Sequence, residues 1–376
     1  MPTPRIVFCL LALCLICPNS GWAQDLQSAI AAIQKVDVDG KGHEDAVKAM
    51  SVLNTASADQ IPTILEGTDG ANKLAVNWLR SAVVTITQNA ESLPVSQIEA
   101  YFNDKSRSAL GRLMAFELLS DSNKSWANDI IPGMTDDPSL PLRRLAIKHW
   151  VESAKQTEDA TSIAKLAELL PKARDVDQVV EIAELLDARG VSVNLQKQLG
   201  FLHTWQLVGS FDNKDEGGFD VAYGPEKSIN DIDLAATYTS MEEKEASWSA
   251  HTTADSMGVV DLNEVVGKVK GATVYAMTNF KAEEDRDCEI RIGCINAHKV
   301  WVNGELIMAN EIYHNGISPD KFTAKAKLVK GDNKILVKVC QNEQTQPWAQ
   351  RWQFQLRVCD ENGLAIQPAK PVAAQF

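Results

Sequence analysis

The fold of the second half of this chain is decided by the stretch Lys299-Val300-Trp301-Val302-Asn303-Gly304-Glu305-Leu306. Asn-Gly is the preferred dipeptide of a two-residue β-hairpin, because both positions need positive φ. Its flanks are rich in β-branched and aromatic residues, which are typical of strands. The stretch therefore predicts an antiparallel hairpin centred on Asn303 and Gly304.

Outward from this hairpin, short runs of the same character continue in both directions, with Gly, Asn, Asp and Pro between them. The clearest span residues 273–277, 288–294, 335–339 and 352–358. Strands that follow one another without helices predict a β-sandwich or jelly roll. We expect it to occupy residues 204–366, followed by a disordered tail over 367–376.

Residues 24–203 have a different pattern, in which apolar side chains recur at helical spacing. Arg80, Arg112 and Arg144 lie 32 residues apart, and each begins a similar apolar segment. This weak repeat predicts an all-α helical repeat domain, an α-solenoid, with a generic helical bundle as the alternative. The fold class expected for the whole chain is thus multidomain, all-α and then all-β.

Two resemblances add to this interpretation. Thr135-Asp136-Asp137-Pro138 and the arginines that follow it resemble the HEAT repeat. The second half resembles the galactose-binding-like β-sandwich of exported proteins and polysaccharide-active enzymes. That resemblance is carried by the segments 205–226, 299–304 and 328–339, the last closed by 352–357. It implies a binding scaffold whose ligand contacts lie in loops at one end, and it does not imply a particular ligand.

The N-terminus predicts export. Arg5 precedes an apolar run over residues 6–17, and small residues stand before a cleavage position after Ala23. This run is shorter than the ~20 residues of a membrane-spanning helix, so residues 1–23 are predicted to be a signal peptide. We therefore expect a secreted or periplasmic protein with no later membrane span.

The charge of the chain argues against nucleic acid as a partner. The formal net charge is −13, and no Lys/Arg run marks a nucleic-acid footprint. The remaining expected partners are a glycan or cell-surface polysaccharide on the sandwich and a protein partner on the helical repeat.

Four cysteines follow the predicted signal peptide, all in the second half. Cys288 and Cys294 are six residues apart in one predicted strand, roughly 20 Å, and cannot pair with each other. Two disulfide connectivities remain, in which Cys288 and Cys294 each pair with Cys340 or Cys359. Four buried free thiols are the alternative.

The acidic residues do not form a pattern typical of catalysis. Their clusters fall in turn-like stretches and are interpreted as solvated loop charges, so we expect no enzyme and no catalytic residue. No cofactor is expected, although Asp212, Asp215 and Asp220 form a candidate Ca²⁺ site.

Loop aromatics supply the candidate ligand site. Trp348 lies in a polar loop with Asn342 and Arg351, and Tyr313 lies in another loop. Exposed aromatic rings stack on sugar faces, although Trp348 packing as a loop anchor is the alternative. The sequence thus predicts a non-catalytic exported binding or scaffold protein that binds carbohydrate through these loops. The alternative function is a protein–protein assembly scaffold in which both domains are interaction modules and no glycan is bound.

Overall fold

The computed structural model describes residues 20–369, with side chains from residue 25. It divides into a first compact unit that ends at His149 and a second that begins at Trp150. The boundary falls inside a helix, within the range 24–203 that the sequence predicts as one helical domain. Most of the predicted signal peptide and the end of the predicted tail lie outside the described residues.

The first unit is helical. Its helices are α1 (Ser20–Ile33), α2 (His43–Leu53), α3 (Ile61–Glu66), α4 (Lys73–Asn89), α5 (Val95–Asn103), α6 (Ala109–Ser122), α7 (Lys124–Ile130) and α8 (Leu140–Lys155), the last of which contains the boundary. Side-chain caps begin several of them: Asn72 accepts from the Ala75 amide and Ser108 from the Gly111 amide. The apolar face of each helix enters one common core.

Three more helices precede the strands of the second unit: α9 (Ala160–Leu169), α10 (Val176–Asp187) and α11 (Leu195–Leu199). Arg189, after α10, donates to the carbonyls of Ala154 and Thr157, at 2.9 and 3.0 Å, and so joins α10 to the end of α8. Two short helices, α12 (Gly224–Lys227) and α13 (Leu262–Val266), lie between strands.

The strands are antiparallel, as the sequence predicts. They are β1 (Thr204–Asp212), β2 (Thr237–Thr239), β3 (Glu245–Ser247), β4 (Ser249–Thr252), β5 (Val260–Asp261), β6 (Ala272–Ala282), β7 (Arg286–Cys294), β8 (Ala297–Val302), β9 (Glu305–Asn310), β10 (Phe322–Leu328), β11 (Gly331–Gln341) and β12 (Gln353–Cys359). One sheet has the order β4-β1-β6-β11-β8-β9, a second has the order β10-β7-β12-β5, and β2 pairs with β3. The predicted hairpin joins β8 to β9, with φ of 50° at Asn303 and 85° at Gly304.

The two larger sheets share one hydrophobic core, to which Trp205 and Val337 contribute from the first sheet and Ile290 and Phe354 from the second. The opposite face of the six-stranded sheet is also covered. Tyr275 and Trp301 pack there against side chains from residues 223–248. Strands buried on both faces explain the nearly continuous burial of β6 and β11.

The segment over residues 213–228 is fastened to this outer face by a buried lysine. Lys338 Nζ donates to the carbonyls of Phe219 and Val221, both at 2.8 Å, and lies 3.3 Å from Glu226 Oε2. Desolvation lowers the pKa of Lys338, while its three acceptors satisfy the ammonium.

All four cysteines of the second unit are free and buried, so the structure has the thiols unpaired. The chain is still hydrogen-bonded within the predicted tail: Gln367 Nε2 donates to the Lys197 carbonyl at 2.8 Å, and the Ala369 amide donates to Lys281 at 2.7 Å. Across residues 20–369, no helix combines the length and apolar character needed to cross a membrane.

Candidate ligand-binding site

Three asparagines lie side by side where strands of the six-stranded sheet end. Asn213 follows β1, Asn342 follows β11 and Asn296 precedes β8. The strand register aligns them, because Ala272 of β6 pairs with both Asp212 and Gln341, and Cys340 pairs with Ala297. We call these three residues the asparagine row. All are buried, with exposed fractions of 0% for Asn213, 1% for Asn296 and 6% for Asn342.

The loop after β9 lies against the asparagine row. Asn213 Nδ2 donates to Tyr313 Oη at 3.3 Å, and the His314 amide donates to Asn296 Oδ1 at 3.4 Å. His314 Nε2 is 2.7 Å from Asn342 Oδ1. Burial raises the pKa of Tyr313, so its hydroxyl stays neutral at ordinary pH. The structure therefore brings together two predicted ligand residues, Tyr313 and Asn342.

Trp348 is the exposed aromatic of this end, with 59% of its surface accessible. Its ring meets the edge of His314, with centroids 5.1 Å apart and planes at 85°. Neighbouring Ala349 is fully buried, and its carbonyl accepts from Lys270 Nζ at 2.8 Å. Within the same loop, the Gln350 side chain donates from Nε2 to the Thr345 carbonyl at 2.6 Å. An exposed ring is thus held on an anchored loop, an arrangement suited to stacking against a ligand.

Carboxylates border the site, and each is hydrogen-bonded. Glu216 Oε1 accepts from Asn342 Nδ2 at 2.9 Å, and Glu343 Oε1 accepts from the Asp215 amide at 2.6 Å. Arg351, the fourth predicted ligand residue, is exposed and has no hydrogen bond or ion pair within residues 25–369. The buried amides of the site are therefore contacted by a phenol and an imidazole, from Tyr313 and His314.

The structure does not bring the predicted Ca²⁺ ligands together. Asp212 Oδ1 accepts from the Lys214 amide at 2.9 Å, whereas Asp220 Oδ1 lies 2.9 Å from Lys299 Nζ. The hydrogen bond from Lys299 lowers the pKa of Asp220, whose carboxylate therefore already has a cationic partner. Asp215 uses its amide, not its carboxylate, in its contact with Glu343. Within the described range, no three His, Cys, Asp or Glu side chains are placed to hold a metal ion.

The sequence interpretation missed Asn213, Asn296, His314 and Glu216 as members of this site. Asparagine next to a strand is ordinarily a turn residue, and the histidines showed no ligand spacing. The available signal was that three separate strands each have an asparagine at one end. Using it required the strand order, which places β1, β6, β11 and β8 next to one another.

Comparison with known proteins identifies no family: no protein-family model and no curated protein matches the chain. Among solved structures, an anti-sigma factor domain-containing protein from Clostridium clariflavum is 14% identical over 46% of this chain and 49% of its own, with a TM-score of 0.25. A family 35 carbohydrate binding module from Clostridium thermocellum is 12% identical over 22% and 69%, with a TM-score of 0.16. A β-glucosidase from Kluyveromyces marxianus is 20% identical over 24% and 11%, with a TM-score of 0.19.

The chain therefore spans about a tenth of the length of the β-glucosidase and about half of the anti-sigma factor domain-containing protein. All three TM-scores are far below 0.5. These likenesses define neither the fold nor the activity of this chain, and its site is interpreted from its own residues.

Proposed function

We propose that residues 204–366 form a galactose-binding-like β-sandwich that binds a glycan at the end marked by Trp348. The observation that carries the proposal is this ring, which is exposed yet fixed by the anchored loop around Ala349. A rigid aromatic supplies a large apolar contact at little cost in conformational entropy. His314 contacts both this ring and Asn342, and imidazole and amide groups offer donors and acceptors for sugar hydroxyls.

We propose further that the protein is an exported, non-catalytic binding protein. Export follows from the N-terminal sequence, in which Arg5 precedes a short apolar run and small residues before position 24. The non-catalytic role is supported by the carboxylates that border the site. Glu216 and Glu343 accept hydrogen bonds from an amide side chain and from the backbone, whereas a general acid or base must exchange a proton with its substrate.

A second candidate, a role in protein–protein assembly, is favoured by apolar exposure on the helical unit. Val47 of α2 and Leu74 of α4 are 50% and 42% exposed. Exposed apolar surface of this kind is used in protein contacts when it is contiguous. In that case the first unit would bind the partner and the strand-end site would bind no sugar.

The test is a glycan-array screen of residues 24–376, with Ca²⁺ and with EDTA. Trp348→Ala is compared with the control Leu306→Ala, which truncates a half-exposed apolar side chain elsewhere in the sheet, on β9. We expect binding to a defined glycan class in both buffers, lost only in Trp348→Ala. A folded protein that binds no glycan contradicts the proposal and favours the assembly role. An equal loss of glycan binding in both variants would show that the glycan does not bind at Trp348.

A further inference from the structure

Two atoms of the asparagine row are buried without a hydrogen-bond partner among the residues that the structure describes. They are Asn213 Oδ1, an acceptor, and Asn296 Nδ2, a donor. Native proteins leave few buried polar atoms unsatisfied, because each one destabilises the fold. Two such atoms in one row of strand ends, one of each kind, suit a ligand with several hydroxyl groups, because each hydroxyl both donates and accepts.

The loop that lies over the row is held in a costly conformation. His314 has φ of 56°, in the left-handed region that non-glycine residues seldom adopt. Its ring Nδ1 is also buried and unpartnered within the described range. The direct bonds of this loop to Asn213 and Asn296 are long, at 3.3 and 3.4 Å. The contact between His314 Nε2 and Asn342 Oδ1 is short, at 2.7 Å, and a ligand must replace it. These features favour a loop that a better hydrogen-bonding partner can displace.

We propose that Asn213, Asn296 and Asn342 form a second subsite, covered by Tyr313 and His314 until a neutral, hydroxyl-rich ligand displaces them. The proposal rests on the glycan-binding function above and extends its site from Trp348 along the strand ends. Displacement of the loop frees Asn213 Nδ2 from Tyr313 Oη and Asn296 Oδ1 from the His314 amide, so sugar hydroxyls accept from the first atom and donate to the second. The amides carry no charge, and Glu216 stands 2.9 Å from Asn342, so the subsite selects neutral sugars over uronic acids.

The strand spacing sets the length of the ligand. Asn213 and Asn296 belong to β1 and β8, which are separated by β6 and β11. Three spacings of about 4.8 Å place the two strands roughly 14 Å apart. A ligand that reaches both residues is longer than a single sugar ring, so the class is a neutral oligosaccharide.

The test titrates residues 24–376 with cellotetraose, xylotetraose and mannotetraose, with the three parent monosaccharides, and with tetragalacturonic acid. The variants are Asn213→Ala and Asn296→Ala. Asn279→Ala is the control, because Asn279 is exposed near the opposite end of β6. At least one neutral tetrasaccharide should bind, and both row variants should weaken it about tenfold, the effect of one to two hydrogen bonds. Monosaccharide binding on Trp348 should be unaffected, and tetragalacturonic acid should not bind.

Two further measurements separate this role from a structural one. Asn296→Ala removes an unsatisfied donor together with one long hydrogen bond from the His314 amide, so its urea midpoint should stay close to that of the wild type while its affinity falls. Amide hydrogen exchange should show displacement of the loop: exchange at Asn315, whose amide donates to Ile295 at 2.9 Å, should become faster when the tetrasaccharide is bound.

The outcomes distinguish the two proposals. Binding that Trp348→Ala abolishes and both row variants leave intact overturns the subsite and leaves the glycan-binding function standing. Parallel loss of stability and affinity in Asn296→Ala also overturns the subsite, because that residue would then only support the fold. A panel in which only tetragalacturonic acid binds overturns the subsite alone, and a panel in which no sugar binds overturns both.

Discussion

The guanidinium of Arg112 forms two parallel hydrogen bonds with the carboxylate of Asp137, at 2.6 and 2.9 Å, in the interior of the helical unit. The side chains are only 2% and 4% exposed. Arg112 Nε also donates to the Phe102 carbonyl at 2.8 Å, and Asp137 Oδ1 accepts from the Ser139 amide. One ion pair thus joins α6 to the ends of two other helices.

Replacing Arg112 by Met should destabilise the protein by about 3–5 kcal/mol, because it leaves a buried carboxylate without its cation. The measurement is urea unfolding followed by circular dichroism. Arg80→Met is the control: Arg80 pairs with Glu117 at the surface, where the side chains are 33% and 45% exposed, and its loss should cost about 1 kcal/mol or less. Similar costs for both variants would show that burial of the Arg112 pair is unimportant.

The same two arginines show where the sequence repeat was informative and where it was not. Their 32-residue spacing correctly predicted helical surroundings, because an apolar face is a local property of each helix. It did not predict that Arg112 is buried and Arg80 is partly exposed. That difference depends on which neighbouring helix covers each side chain, and so equal spacing alone does not establish a HEAT repeat.

Gly111 should resist substitution by Ala, contrary to the usual preference of helices for Ala. A methyl group there would overlap Thr68 Oγ1 and Tyr101 Oη. These hydroxyls cannot retreat freely, because Tyr101 Oη donates to the Leu65 carbonyl at 2.9 Å. We expect Gly111→Ala to lose about 1–3 kcal/mol of unfolding free energy, measured by urea titration. Gly133→Ala, with open space around it, should change stability little, and an unchanged Gly111→Ala would show that the packing can relax.

Asp320 should be essential to the outer face of the four-stranded sheet. Its Oδ1 accepts from Arg357 Nε at 2.7 Å, and its Oδ2 lies 3.3 Å from Arg291 Nη1. Arg357 also donates to the Leu199 carbonyl at 3.2 Å, which ties α11 to β12. Asp320→Ala leaves the buried guanidinium of Arg357 without its carboxylate, whereas Arg291 keeps its ion pair with Glu289. The substitution should cost about 3–5 kcal/mol, seen as a lower urea midpoint. Glu242→Ala, which removes an exposed ion pair with Lys244, should have almost no effect.

The strand half was the more predictable part of the fold, and the candidate site was the less predictable part. The turn at Asn303 and Gly304 is encoded by adjacent residues, so it could be predicted locally. The asparagine row is built from residues up to 129 positions apart, counted from 213 to 342, and is visible only once the strand order is known. Trp348 was predicted because a lone aromatic in a polar loop is itself a local signal.

The buried thiols should make stability fall in alkali. Burial raises the pKa of Cys294 from 9.0 to about 12, and those of the other three cysteines to about 11. Because each folded-state pKa is raised, the stabilising contribution is complete below pH 9 and is lost as pH rises toward 11 or 12. Unfolded chains then release protons that the folded chain retains.

Cys294→Ala isolates one of these contributions. Between pH 8 and pH 10 the wild type should lose about 1 kcal/mol more unfolding free energy than this variant, as expected for one raised thiol pKa. Urea titrations at four pH values measure this difference. Val339→Ala is the control, because it removes side-chain volume from the same core without removing a thiol. Its stability should show no pH-dependent difference from that of the wild type. Thiol counting in urea should find four reactive groups beyond residue 23. A count of zero would mean that all four cysteines are paired. The predicted alkaline loss of stability would then be wrong, because Cys294 would have no thiol to ionise.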